Sequence, residues 1–322
     1  MTRPDIAGLS NEVNVGMLSS PAQPAPRRNP AMTASSPATP SSTAPVWFIT
    51  GASSGFGEAF ARYALDQGYR VVATARDVGK LAAIAALAPE RVLVHTLDVT
   101  RAGDAEAAIA ATLARFGRID VVLNNAGYGI VGAVEETPET ELRAQMETNF
   151  FGAAAVIQEV LPTLRRQRTG AIVNISSLGG QLSFAGFSAY SASKFALEGL
   201  SEALAQEVAP FGIKVLIVEP GQFRTNLAGA AMRHMPVLAA YQDIIGGTRE
   251  FAHAMHHAQA GDPYKAARAI DVALQSDTPP LRLQLGEDAV DAVRVHAQQL
   301  LADLERWAPL ARDTRIDTPA VA

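Results

Sequence analysis

The stretch from Val46 to Leu65 constrains the chain more than any other. Val46 to Thr50 is a short apolar segment of strand character that runs straight into T-G-A-S-S-G-F-G, Thr50 to Gly57. Phe60, Ala61, Ala64 and Leu65 follow at helical spacing. A strand, a glycine-rich turn and a helix N-terminus in succession make an anion site, because free backbone N–H groups and the positive end of the helix dipole face one point. Gly51 suits the tight turn, Gly55 a close approach of backbone to a pyrophosphate, and Gly57 close packing of helix on strand, with Ser53, Ser54 and Phe56 between them. The spacing is G-x-x-x-G-x-G rather than G-x-G-x-x-G, and a glycine loop without a ligand is the bland alternative.

The pattern then repeats. Arg70 to Thr74, Arg91 to Thr96, Ile119 to Leu123, Ala171 to Ile175, Ile213 to Val218 and Leu281 to Leu285 read as strands. Helical spacing lies between them, as over Ala105 to Phe116, Glu141 to Leu164 and Ser191 to Val208. This alternation predicts an α/β fold, a doubly wound parallel sheet of seven strands with helices on both faces. Ligands of such open sheets bind beyond the carboxyl ends of the strands. The polar and glycine-bearing motifs fall there: Thr50 to Gly57, Ala75-Arg76, Asp98-Val99, Asn124 to Gly127 in N-N-A-G, and Pro220 to Thr225 in P-G-Q-F-R-T. About twenty residues past the glycines an acidic residue would hold a ribose 2′-hydroxyl, whereas an arginine accommodates a 2′-phosphate. Arg76 therefore favours NADP(H) over NAD(H), with Asp77 the competing carboxylate.

Tyr190 and Lys194, in Y-S-A-S-K, are four residues apart and share a helix face. A phenol with a reference pKa of about 10 is made more acidic by a nearby ammonium, so Tyr190 is a candidate proton donor and acceptor. Ser177, just after the strand Ala171 to Ile175, is able to hydrogen-bond an oxygen held by Tyr190. Spacing alone also fits a surface helix pair. Asn149, within an apolar helix, reads as an ordinary buried amide.

In this order T-G-A-S-S-G-F-G, D-V, N-N-A-G, E-T-N-F-F-G, I-S-S, Y-S-A-S-K and P-G-Q-F-R-T, over about residues 46 to 225, resemble the short-chain dehydrogenase/reductase family in its short single-domain form. The resemblance implies a Rossmann-type sheet and an enzyme that interconverts a carbonyl and a secondary alcohol with NADP(H). It assigns Tyr190 as acid/base, and Lys194 to lower its pKa and hold the nicotinamide ribose. Ser177, rather than Ser176, takes the substrate oxygen, and Asn149 completes a proton relay through a water. Asp98 and Val99 would bracket the adenine, Asn125, Ala126 and Gly127 would back the cofactor, and Pro220, Gly221 and Thr225 would meet the pyrophosphate and carboxamide side. The members the chain most resembles act on steroid, retinol or similar apolar ketones and alcohols. Two other classes are a catalytically silent NADP-binding redox sensor, and an isomerase or dehydratase. The last usually needs a larger carboxyl-terminal domain than the hundred or so residues after Thr225.

Residues 226 to 262 read as a lid over the substrate. Met232, Tyr241 and Gln222, with Phe184 and Phe187 beside the catalytic helix, are the candidate pocket, joined by Leu227, Met235, Leu238 and Phe251. Core packing accounts for the same apolar residues. His253, His256 and His257 lack carboxylate or thiol partners at ligand spacing, so no metal is expected. A helix is predicted from Asp262-Pro263 to Gln275 and a closing helix over Val290 to Trp307. Eight of the nineteen prolines lie in residues 1 to 45, which are expected to be a disordered tail. Met17 and Met32 are alternative starts, and Arg27-Arg28 lacks the apolar core of an export signal. The domain is expected over 46 to 307 and a loose tail over 308 to 322. A net charge of −5 with scattered basic residues argues against a nucleic-acid partner. Absence of cysteine removes disulfides and thiolate chemistry and fits a reducing cytoplasm. No apolar run approaches the ~20 residues of a membrane span. The partner expected is a small ketone or alcohol, and the apolar faces of Glu141 to Leu164 and Ser191 to Val208 would serve either a homodimer or homotetramer contact or burial within one chain.

Overall fold

The structure, a computed structural model, describes residues 43–225, 227, 229, 231–255 and 258–315. Seven parallel strands form one sheet: β1 (Val46–Ile49), β2 (Arg70–Ala75), β3 (Val92–Thr96), β4 (Val121–Asn124), β6 (Gly170–Ile175), β7 (Ile213–Pro220) and β9 (Arg282–Leu285), in the order β3-β2-β1-β4-β6-β7-β9. The expected sheet is thus present, with every neighbouring pair parallel.

Period-two alternation along the strands separates two apolar layers. Trp47 and Ile49 of β1, with Val71, Leu123, Val173 and Leu216, face α1 (Gly55–Asp66), α2 (Ala82–Leu87) and α8 (Pro263–Gln275). Val46 and Phe48, with Val72, Val122 and Ile172, face α3 (Asp104–Phe116), α5 (Gly152–Gln167) and α6 (Ser188–Val208). Trp47 and Phe48 are fully buried on opposite faces, and burial of each such side chain stabilises the fold by roughly 1.5–3 kcal/mol. The chain leaves β1 toward β2 and β3, then returns to β4 on the other side of β1, so the crevice between the ends of β1 and β4 is the topological switch point.

Three features depart from the sequence expectation. The single helix expected over Glu141 to Leu164 is α4 (Glu139–Met146), a π-helical turn (Glu147–Phe151) and α5. The wider turn carries Asn149, as π turns often do at functional positions. A second, two-stranded parallel sheet joins β5 (Gly129–Val131) to β8 (Met232–His234). At three residues apiece these strands are too short for periodicity to show them. The closing helix α9 (Glu287–Arg312) runs past Trp307, through five residues expected to be loose. Its outer half holds Leu300, Leu301, Leu304, Trp307 and Leu310 in the open. Helix α8 begins as expected, with Asp262 Oδ1 accepting from the amides of Tyr264 and Lys265 and Pro263 in the first turn. Nearly all of the expected amino-terminal tail, His256, His257 and residues 316–322 lie outside the described residues.

Candidate active site

The glycine loop is held by a side-chain clamp at the switch point. The Thr50 hydroxyl accepts from the amides of Asn125 (2.9 Å) and Ala126 (3.0 Å), while Asn125 Nδ2 donates to the carbonyls of Thr50 (2.9 Å) and Gly51 (3.1 Å). The motif ending β1 is thereby tied to the motif ending β4. Gly51 has φ +66°, where a side chain is strained, and Gly57 is crowded: a Cβ there would lie 2.3 Å from the Gly51 carbonyl oxygen. Ser54 is the N-cap of α1, extended and without a side-chain capping bond. The amides of Gly55, Phe56 and Gly57 precede the first intrahelical bond, from Glu58 N–H to the Ser54 carbonyl at 3.3 Å. Free amides over a crowded glycine floor fit a phosphate. Phe56 stacks on Phe60 (5.5 Å between centroids) and leans on Phe223 (5.2 Å), so it braces the loop against the segment after β7.

At the neighbouring strand ends, Arg76 is exposed and makes no hydrogen bond or ion pair among the described residues, whereas Asp77 is spent on its own turn, Oδ1 accepting from Gly79 N–H at 2.9 Å. Burial raises the Asp98 pKa, but bonds from Thr100 and the charges of Arg76 and Arg101 outweigh it and hold Asp98 below the usual carboxylate value. Val99 packs on Gly152 of α5, where a Cβ would stand 2.6 Å from Val99 Cγ2. After β7, the Gly221 amide donates to the Leu285 carbonyl (2.9 Å) and the Gln222 amide to Asp288 Oδ2 (2.7 Å), which fixes the Pro220 to Thr225 loop.

Beside this floor lies the Tyr-Lys pair, on the first turns of α6. Tyr190 and Lys194 are both buried, with Lys194 Nζ 5.8 Å from the centre of the Tyr190 ring and donating to the Ile175 carbonyl at the end of β6 (2.9 Å). The Ser177 hydroxyl accepts from Gly179 N–H at 3.0 Å and hydrogen-bonds the Tyr190 phenol. Ser177, Tyr190 and Lys194 are therefore brought together as expected. The electrostatics differ from the expectation: burial raises the Tyr190 pKa, and only the Ser177 bond pulls it down. Burial likewise lowers Lys194 to about 8, with the Glu198 charge opposing it.

Asn149 is fully buried and fully bonded. Its Oδ1 accepts from Tyr128 N–H (3.1 Å), and its Nδ2 donates to the Tyr128 carbonyl (2.9 Å) and to Ser193 Oγ (3.0 Å). The side chain thus pins the chain just past Gly127 to the catalytic helix. Sequence reasoning missed Ser193 and Tyr128 in this arrangement; both sit inside or directly beside motifs already singled out, Y-S-A-S-K and N-N-A-G.

The segment after β7 reaches the same place through the β5–β8 ladder. A Cβ on Gly129 would meet Met232 Sδ at 2.7 Å and Tyr190 Cδ2 at 3.8 Å, which places Met232 beside the phenol ring. Ile130, Ala189 and Met235 form a small buried cluster with Tyr128 against it. Phe187 stands edge-on to Tyr190 at 6.4 Å. Phe184 is more than a third exposed, and Tyr241 instead donates to Glu135 Oε2 at the surface (2.8 Å). Among the described residues His253 stacks on His234 (4.0 Å), and no group of three or more His, Asp or Glu side chains could hold a metal. No helix among them is long and apolar enough to cross a membrane.

A parallel sheet with a glycine cradle at its switch point, and a Ser-Tyr-Lys set beside it, defines a dehydrogenase of the α/β class. Residues 45–235 match the family model described as short chain dehydrogenase, and the chain belongs to the short-chain dehydrogenase/reductase family, oxidoreductases that act on CH–OH and C=O groups. It is 42% identical over 267 residues, 83% of this chain and 97% of the other, to an oxidoreductase, BOA17, of Botryotinia fuckeliana. It is 47% identical over 182 residues, 55% of this chain and 64% of the other, to a 3-ketodihydrosphingosine reductase of Bacteroides thetaiotaomicron. Among solved structures it resembles a short-chain dehydrogenase of Streptomyces avermitilis, with 50% identity, a TM-score of 0.81, and coverage of 85% of this chain and 100% of that one. An alcohol dehydrogenase of Thermococcus sibiricus complexed with 5-hydroxy-NADP has 28% identity and a TM-score of 0.62, covering 75% and 95%.

Proposed function

We propose that the enzyme interconverts a carbonyl and a secondary alcohol on a small-to-medium apolar substrate, with NADP(H) preferred over NAD(H). The observation that carries this reading is the buried Tyr190, bonded to Ser177, on the helix turn that also holds Lys194, beside the glycine cradle. Gly51, Gly55 and Gly57 would hold the pyrophosphate of a nicotinamide dinucleotide, which would supply or accept the hydride. Ser177 orients the substrate oxygen and Tyr190 gives it a proton during reduction or takes one during oxidation. Burial keeps Tyr190 neutral, which suits a proton donor. Lys194, fixed by its bond to the Ile175 carbonyl, would hold the nicotinamide ribose, and Asn149 would complete a proton relay through a water.

Arg76, with Asp77 engaged elsewhere, supports a 2′-phosphate, as does the likeness to a protein complexed with 5-hydroxy-NADP. Met232 and Phe187 beside Tyr190, with the buried cluster of Ile130, Ala189 and Met235 nearby, support an apolar ketone, as does the likeness to a 3-ketodihydrosphingosine reductase. The reading includes a cytoplasmic homodimer or homotetramer, whose contact would cover the exposed Leu142, Phe151 and Phe195. The test is a panel of apolar ketones and aldehydes with the purified protein, following NADPH and NADH absorbance separately. NADPH-dependent turnover is expected. Preference for NADH overturns the part assigned to Arg76, and nucleotide binding without turnover of any substrate overturns the catalytic assignment.

A further inference from the structure

Among the described residues, strand β8 is three residues long and pairs with β5 alone. Backbone bonds close the two ends of the ladder: Gly129 N–H donates to the Ala231 carbonyl and Met235 N–H to the Val131 carbonyl, both at 2.9 Å. A two-stranded pairing this short is marginally stable by itself, so side chains must help to seat it. Alternation sends Met232 and His234 to one face of β8 and Arg233 to the other. On the first face the bare Cα of Gly129 leaves the room that the Met232 thioether takes, with Tyr190 Cδ2 beside it, and the His234 ring lies flat on His253 at 4.0 Å.

The other face is gripped by Tyr128. The Arg233 guanidinium lies 4.7 Å from the centre of the Tyr128 ring, and its Nη1 pairs with Oε2 of Glu141, on α4, at 2.7 Å. A cation over an aromatic face is held by the negative charge of the ring's quadrupole. Tyr128 is itself fixed. Its amide donates to Asn149 Oδ1, and its carbonyl accepts from Asn149 Nδ2 (2.9 Å) and from Gln145 Nε2 of α4 (2.8 Å). Its ring packs on the buried cluster of Ile130, Ala189 and Met235. The Tyr128 hydroxyl is buried without a hydrogen-bond partner among the described residues, so the ring and not the oxygen is what meets Arg233. Arg233 thus fastens β8 to two anchored groups, while the residue before it carries the thioether beside the Tyr190 phenol.

We propose that Tyr128 and Arg233 are positioning residues that seat Met232 beside the Tyr190 ring, and that this seat sets the bulk of the ketone admitted to the phenol. The effect on substrates rests on the function proposed above; the seating of Met232 does not. Glu141 steadies the cation from the exposed side, where solvent weakens an ion pair. With Met232 seated, its side chain walls the space beside the proton donor and a compact ketone is favoured. With the seat loosened, that space opens and bulky groups gain.

The chain has seven methionines, so NMR of methyl-labelled methionine resolves Met232, assigned by the signal lost in Met232→Leu. The ring current of Tyr190 displaces that signal from the position of a free methionine. In Arg233→Leu and in Tyr128→Leu it moves toward the free position. In Tyr128→Phe, which keeps the ring, it stays. Arg143→Leu, which breaks an exposed pair with Glu139 on the same helix α4, also matches the parent. Turnover is read in parallel on a compact and a bulky ketone that the enzyme accepts, such as cyclohexanone and benzophenone. The ratio of kcat/KM for the bulky ketone over the compact one rises on the order of fivefold in Arg233→Leu and Tyr128→Leu, chiefly through KM. A Met232 signal that stays in both leucine variants, or that moves as far in Tyr128→Phe as in Tyr128→Leu, overturns the proposal. So does a moved signal with an unmoved ratio, and so does a lower Tm with signal and ratio both unmoved, which marks a structural contact only. If Tyr128→Leu does not fold, Arg233→Leu decides alone, at a side chain half exposed to solvent. A signal that moves as stated in a protein that turns over no ketone supports the seating of Met232 and sinks the proposed function instead.

Discussion

Arg249 of α7 (Gln242–Ala254) places Nη2 2.6 Å from Oε2 of Glu136, a residue 113 positions earlier in the chain. Glu136 is wholly shielded from water and Arg249 nearly so. The same carboxylate accepts from the amides of Ala133 (2.7 Å) and Leu238 (2.8 Å), and Arg249 Nη1 donates to the Met235 carbonyl (2.9 Å). This ion pair is the rivet between α7 and the segment after β5. Arg249→Met, which strands the carboxylate, is expected to cost about 3–5 kcal/mol and to appear as a large fall in Tm. Burial raises the Glu136 pKa, but the Ala133 and Leu238 amides and Arg249 overcome it and hold the group below its ordinary value. A depressed carboxylate contributes stability above its unfolded pKa of about 4.3 and loses it as pH falls through the folded value. The Tm gap between the parent and Glu136→Gln should therefore be widest near neutrality and close in acid. A gap independent of pH would refute this origin.

Tyr190→Phe should retain NADPH binding and lose turnover by about 10²–10⁴. Fluorescence titration of the nucleotide and steady-state rates separate the two effects. Because burial raises the pKa of the phenol, alcohol oxidation should also accelerate toward alkaline pH, whereas ketone reduction proceeds at neutrality. Unchanged turnover in Tyr190→Phe on a good ketone ends the mechanism.

Arg76→Ala removes the exposed guanidinium at the end of β2 while Asp77 remains tied to Gly79. Charge-assisted contacts to a phosphate oxygen are worth roughly 1.5–3 kcal/mol, and solvent screening reduces that at an open site. KM for NADPH is expected to rise on the order of tenfold, with KM for NADH little changed. Equal effects on both nucleotides would deny Arg76 a role at the 2′-phosphate.

Gly57→Ala drives a methyl onto backbone from two sides, the Gly51 carbonyl at 2.3 Å and Ala52 Cα at 2.9 Å, neither of which can swing away. The loop must shift. A loss of about 1–3 kcal/mol in stability and a weakened nucleotide affinity are expected together. A variant with parental affinity would show that the cradle tolerates being opened.

The seven-stranded sheet was legible because each strand alternates between Trp47-like and Phe48-like layers, and because a helix pattern separates each strand from the next. Tyr190, Lys194 and Ser177 were legible for the same reason, since strand ends and helical spacing are local properties of sequence. The β5–β8 ladder was not, because three-residue strands carry no period and their pairing is decided by chain a hundred positions away. The π turn at Asn149 was hidden because its residues, E-T-N-F-F, satisfy an ordinary helix pattern. From the widened turn Asn149 reaches both the amide and the carbonyl of Tyr128. Glu198 and Glu219 look like surface charges in sequence, and only the tertiary meeting of Gln181, Arg282 and Gln284 makes them interior ones.

The parallel ladder between Gly129–Val131 and Met232–His234 also sets an order of assembly. Its first strand leaves the ribosome about a hundred residues before its partner, after β1 to β4 and the glycine cradle, and β6 and β7 are synthesised in the interval. The cover over Tyr190 can close only on a platform already built. A ladder of three residues per strand, closed late on a finished platform, is expected to open under mild denaturant before the seven-stranded sheet beneath it does.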